Sequence, residues 1–212
     1  GKINMTDTLV VTTNPVFLGD SPESSEIEFI SNRELIRCTP STFKNLTISR
    51  VAVTEGYCVH SDYAGEGVVE FDNCIIKNNM GPAVGAGSHA NQTLRFKNCE
   101  IYHLSNAQSL SPTLYWHNNV NDLPNQRLEL INTTVYSDYE RPLQISDQNL
   151  NLGDGLNRDS EILAVNCHFY GALYGKANML ISQPAPIGTK TVTGNIKLNP
   201  LSGGNNIDVL NY

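Results

Sequence analysis

A short phrase recurs six times along the chain and limits what the chain can fold into: Phe43-Lys44-Asn45-Leu46-Thr47-Ile48, Phe71-Asp72-Asn73-Cys74-Ile75-Ile76, Phe96-Lys97-Asn98-Cys99-Glu100-Ile101, Leu130-Ile131-Asn132-Thr133-Thr134-Val135, Ala164-Val165-Asn166-Cys167-His168-Phe169 and Thr193-Gly194-Asn195-Ile196-Lys197-Leu198. The asparagines step by 28, 25, 34, 34 and 29 residues. A period of this length with variable insertions marks a solenoid, in which each repeat buries its apolar side only against its neighbours. Each phrase is therefore expected to mark one coil of a stack.

The runs flanking each asparagine are short and rich in Val, Ile, Phe and Thr, and no repeat holds an amphipathic stretch of helical length. This predicts two strands joined at a bend. Asparagine tolerates the left-handed backbone region better than most residues, and its amide can bond to the same amide in the next coil. A bend occupied by Asn in every coil is thus expected to form an internal ladder.

The 212 residues could make one or two ordinary domains, but the repeats leave no room for a linker, so a single domain over 1–212 is expected. Charged residues make up 17% and the formal charge is −7, with no basic patch, which argues against nucleic acid as a partner. No long apolar span suggests membrane insertion, and the start at Gly1-Lys2-Ile3 reads as the edge of a fragment of a longer chain. Cys74, Cys99 and Cys167 share the position after the asparagine, with Thr133 in the same place, so they are expected to point inward. With no CxxC or His-spaced pair, all five cysteines read as buried thiols of a chain made in a reducing cell, with no metal and no cofactor expected.

Thr8–Thr12, Pro15–Leu18 and Glu26–Ile30 form an opening coil of three strands without the phrase. The opening strands of later coils align as Leu35–Cys38, Cys58–Ser61, Ala83–Ala86, Thr113–Trp116, Pro142–Ile145, Met179–Ser182 and Asn206–Val209. Strand alternation then predicts an inward column of Ile36, Val59, Val84, Leu114, Leu143, Leu180 and Ile207.

These features resemble the right-handed parallel β-helix of the pectate-lyase superfamily: all-β, single-stranded, three sheets, an Asn ladder, and here about seven coils. The segment Gly56-Tyr57-Cys58-Val59-His60-Ser61-Asp62-Tyr63 is similar to first-sheet coils of tail spikes and appendages from tailed bacteriophages of Gram-positive hosts. The resemblance implies a virion protein, folded in the host cytoplasm and assembled as a homotrimer. Its partner would be a cell-surface polysaccharide or teichoic acid, bound along the first sheet.

The outward row of that sheet reads Arg37, His60, Gly85, Tyr115, Gln144, Ile181 and Asp208, with Asp62, Gly87, His117 and Ser146 two positions on. Long turns beside it bring Asp122 and Asp147, and long loops in a tight solenoid are usually functional. Arg37, His60, Asp62, Tyr115, His117, Gln144 and Asp147 are the candidate ligand-binding residues, since a sugar offers hydroxyls to polar side chains and C–H faces to an aromatic ring. Asp62 and Asp122 are the candidate catalytic carboxylates, one coil apart from adjacency, with His60 as a candidate general base. The acidic Ca²⁺ ligands of pectate lyases and the Asn-x-Asp, Asp-Asp, Gly-His-Gly and Arg-x-Lys motifs of polygalacturonases are missing. Three functions therefore stay open: a binding module, a depolymerase with the same groove, and a structural stalk.

Overall fold

The computed structural model describes residues 1–30, 33–38, 40–61, 66–86, 91–104, 111–118, 126–137, 142–147, 160–171, 180–182, 190–193 and 197–200. Among these residues there is no helix, and the strands fall into sheets of seven, seven and eight. The first sheet holds Leu9–Val11, Leu35–Cys38, Val59–His60, Val84–Ala86, Leu114–Asn118, Leu143–Asp147 and Leu180–Ser182. The second takes the strands before each asparagine, such as Ser41–Lys44 and Gln92–Lys97, and the third those after it, such as Thr47–Val51 and Glu100–His103. The chain visits the sheets in rotation and every pairing is parallel, an arrangement consistent with a parallel β-helix. One strand was not anticipated: Lys2–Met5 pairs with Glu26–Ile30 at the start of the third sheet.

Parallel registers put like residues on like, which is what a repeating phrase demands. Phe17, Phe43, Phe71 and Phe96 stack with ring centroids 4.7, 4.8 and 5.1 Å apart and interplanar angles of 1°, 10° and 13°. In the third sheet Ile48, Ile76, Ile101, Val135 and Phe169 form a second column, all fully buried. Burying each such side chain contributes roughly 1.5–3 kcal/mol. The outward face of the second sheet is closed by cross-coil ion pairs instead: Arg95 bonds both Glu70 in the preceding coil and Glu129 in the following one.

The turn asparagines Asn45, Asn73, Asn98, Asn132 and Asn166 all have φ between 50 and 55°. Asn73 Nδ2 donates to Asn45 Oδ1 at 2.9 Å, Asn132 to Asn98 at 3.2 Å and Asn166 to Asn132 at 3.3 Å. Asn98 Nδ2 donates instead to Asp72 Oδ1 at 3.2 Å. These amides are not internal as expected; from Asn73 onward the four asparagines are exposed. The left-handed backbone turns the Asn side chain outward and sends the next residue in. That residue is Leu46, Cys74, Cys99, Thr133 or Cys167, each buried. The buried thiols are not merely apolar fillers: Cys99 Sγ donates to Phe71 O at 3.3 Å and Cys167 Sγ to Leu130 O at 3.1 Å, as Thr133 Oγ1 does to Phe96 O at 3.3 Å. Cys58, Cys74, Cys99 and Cys167 are free, and burial pushes the Cys58 and Cys99 thiols far up.

The first sheet corrects the predicted alignment at both ends. Val59 lies beside Leu35, not Ile36, and Ile36 lies beside His60. Arg37 therefore leaves the His60 row; the register from Val10 and Val11 to Ile36 and Cys38 skips it at an irregularity. Leu180 lies beside Gln144 and Ile181 beside Ile145, so Leu180 does not continue the Leu143 column and Ile181 is out of the Gln144 row. Leu35-Ile36 and Leu180-Ile181 are adjacent apolar pairs, in which alternation alone cannot choose the inward member.

Candidate functional site

In the middle of the first sheet the outward row stands as expected: His60, Gly85, Tyr115 and Gln144 are register partners in successive coils. His117 lies beside Ser146, while Asp147 lies beside Asn118. Asp62 and Asp122 lie outside the described residues, as do the side chains of Arg37, His117, Gln144 and Asp147. The structure thus places His60 and Tyr115 from the expected set in one row, two coils apart with Gly85 between them.

Gly85 leaves a gap in that row, and Tyr57 fills it. A Cβ on Gly85 would stand 2.3 Å from Tyr57 Cε1, so the ring lies directly across the strand. On its other side the ring stacks on His60, with centroids 4.3 Å apart and planes 29° from parallel. Tyr57 and Tyr115 then line an open groove of about 300 Å³, together with Glu55, Pro82, Ser111 and Pro112. His60 Nδ1 faces Glu34 Oε1 at 3.7 Å, and both side chains are mostly covered, at 15% and 22% exposure. An imidazole beside a carboxylate has its ring orientation set, which suits either a hydrogen-bonding contact or proton transfer.

The turn that presents Tyr57 is held by a buried arginine. Arg50 sits in the strand Thr47–Val51 and is 3% exposed. Its guanidinium donates to the carbonyls of Met80 at 2.9 Å, Arg33 at 3.2 Å, Thr54 at 3.2 Å and Gly56 at 3.3 Å. Burial lowers its pKa, but a guanidinium stays charged through the physiological range. Asn78, its register neighbour, donates to Gly56 O at 2.7 Å, and Asn79 exchanges two 2.9 Å bonds with the Ala52 backbone. Gly56 and Gly81 make the close approach possible: a Cβ on Gly81, whose φ is +91°, would stand 2.5 Å from Gly56 O. The fork of donors suits several carbonyls at once in a way that lysine's point charge does not.

Tyr57, Glu34 and Arg50 were all missed from the sequence. One signal was present: a glycine in an outward row of larger side chains marks a place where something else lies. Among the described residues no three His, Cys, Asp or Glu side chains are grouped to hold a metal ion. No protein-family model matches the chain, and neither does any curated protein or solved structure.

Proposed function

We propose that the chain is a single-stranded right-handed parallel β-helix of about seven coils, with an asparagine ladder, that binds a cell-surface polysaccharide or teichoic acid along its first sheet. The single observation that carries this is the groove lined by Tyr57 and Tyr115, with the Tyr57 ring seated over Gly85 and stacked on His60. Two tyrosines offer flat apolar area for sugar C–H faces, and Glu55 and Ser111 in the lining offer partners for hydroxyls. Asp62, His117, Gln144 and Asp147 are the further ligand contacts proposed along this sheet. The resemblance of Gly56–Tyr63 to first-sheet coils of phage appendages supports a virion protein, assembled as a homotrimer and folded in the host cytoplasm.

A depolymerase is the second reading, favoured by the Glu34 carboxylate that faces His60. Both are tested on purified Gram-positive wall polysaccharides and teichoic acids, by pull-down and by release of reducing ends. Retention that is lost on Tyr57→Ala or Tyr115→Ala is expected. Released ends that disappear with His60→Ala would move the assignment to an enzyme, and no retention on any wall fraction would leave a structural stalk.

A further inference from the structure

The third sheet carries on its outward face an arrangement that the first-sheet groove does not use. Four residues after each turn asparagine, the registers align Ser49, Lys77, Tyr102, Tyr136 and Tyr170 in one row. The three tyrosines are half-buried, with ring centroids 5.8 and 6.0 Å apart. Their planes are tilted by 54° and 51°, unlike the inward Phe17 and Phe43 rings, which lie within 1° of parallel.

A polar row runs beside the tyrosines. Glu100, Thr134 and His168 are register partners two residues before Tyr102, Tyr136 and Tyr170. The Tyr102 hydroxyl donates to the Glu100 carboxylate, and the His168 ring lies 3.9 Å from that of Tyr170. Each of three successive coils thus presents the same pair, a polar group and an aromatic ring. A surface that repeats once per coil fits a ligand that repeats at the same interval.

We propose that this row is a second glycan-binding surface, which takes a neutral, extended β-1,4-linked pyranose chain parallel to the stack, one sugar ring per coil. The rise between parallel strands is about 4.8 Å, close to the advance of one ring in such a chain. Tyrosine supplies the apolar face and a polar tip at low entropic cost. The Glu100–Thr134–His168 row supplies groups for the sugar hydroxyls. Lys77 beside Tyr102 and Glu100 beside Thr134 are of opposite sign, and the formal charge is −7, so a neutral chain is favoured over a polyanion. A protein partner is disfavoured by area: three tyrosines that are each mostly covered offer far less than the ~800 Å² per partner of a stable interface. The proposal does not rest on the first-sheet groove.

The test is NMR of ¹³C-tyrosine-labelled protein titrated with cellohexaose and with chitohexaose. At least one is expected to shift the ring signals of Tyr102, Tyr136 and Tyr170, in the wild type and equally in Tyr115→Ala. Tyr136→Ala should lose about tenfold in affinity, the equivalent of one stacked ring, while Tyr136→Phe, which keeps the ring, should stay close to wild type. Shifts confined to Tyr57 and Tyr115 would overturn this proposal and leave the groove standing. Shifts confined to the third-sheet row would support this proposal and leave the groove to its own test on wall polysaccharides. Silence of the three tyrosines toward both hexasaccharides overturns it outright.

Discussion

The ring of Tyr57 occupies the space that a side chain at position 85 would need: a Cβ on Gly85 would lie 2.3 Å from Tyr57 Cε1. The groove floor therefore depends on a missing side chain as much as on a present one. Gly85→Ala should push the ring off the strand and away from His60. Because the displaced atoms belong to a side chain that can swing outward, stability should change by less than about 1 kcal/mol. Retention on wall polysaccharide should nevertheless fall about tenfold, as far as in Tyr57→Ala. The double variant should be no worse than either single one, since both remove the same contact. A Gly85→Ala protein that binds like the wild type would show that the ring is not part of the binding surface.

Arg50 makes a second prediction, on stability. Replacing it with Met keeps the volume but removes the donors to the Arg33, Thr54 and Met80 carbonyls. Leaving these partly buried carbonyls without their donors should cost about 1–3 kcal/mol, which for a chain of this size lowers Tm by roughly 2–12 °C. Arg50→Lys should recover only part of that, because one ammonium cannot span the acceptors. Hydrogen exchange should also speed up locally around residues 54–57. A Tm within about a degree of wild type for Arg50→Met would mean that water takes over these carbonyls.

How much of this could be read beforehand depended on whether a residue's role was local or long-range. The asparagine turns were legible because a left-handed residue is demanded at the same place in each coil, and φ near 50° is found at all five described turns. The inner columns were legible where a strand alternates cleanly, as in Gln92–Lys97, and illegible at Leu35-Ile36, where both parities are apolar. Tyr57 lies before its strand, so periodicity says nothing of its direction; Gly85 and Arg50, from other coils, decide it. Arg50 reads as a solvated charge in any single-sequence view, yet its parity with Ile48 points it inward. The tyrosine row is visible in the sequence as a fixed offset of four from Asn98, Asn132 and Asn166.

Asn132 is both a donor and an acceptor in the row of turn amides, and it holds φ at 50°. The two demands can be separated by substitution. Asn132→Gly keeps the backbone conformation and loses only the amide bonds, which are exposed and individually weak. Asn132→Ala loses the same bonds and adds about 1–2 kcal/mol for a Cβ in the left-handed region. Tm should therefore fall in the order wild type, Gly, Ala, with Ala below Gly by roughly 2–8 °C. Equal melting of the two variants would show that the turn relaxes to another conformation and that φ is not the constraint.

Asp72 carries the last prediction, on acid stability. Burial by itself would raise its pKa, but hydrogen bonds from Lys44 and Asn98 and the charges of Lys44 and Lys97 outweigh it, so the folded carboxyl titrates below the ordinary value of 3.8. Lys44 Nζ stands 3.0 Å from Asp72 Oδ2, and Asn98 donates to Oδ1. In the unfolded chain the same carboxyl titrates near about 3.9. The unfolded state thus binds more protons in the interval between the two values, and the stabilisation is fully present above about pH 4. It is lost as the pH falls through the folded pKa. Asp72→Asn should lower Tm at pH 7 by removing the Lys44 pair, while the gap to wild type closes as the pH is lowered towards 2. Glu26, held low by Ser49 and Lys2 against its own burial, keeps part of the acid slope in both proteins. Melting curves for the two chains at pH 7, 4 and 2.5 decide the matter: a gap that stays constant across that range would mean that Asp72 serves its neighbours as a hydrogen-bond acceptor only, with no contribution from its charge.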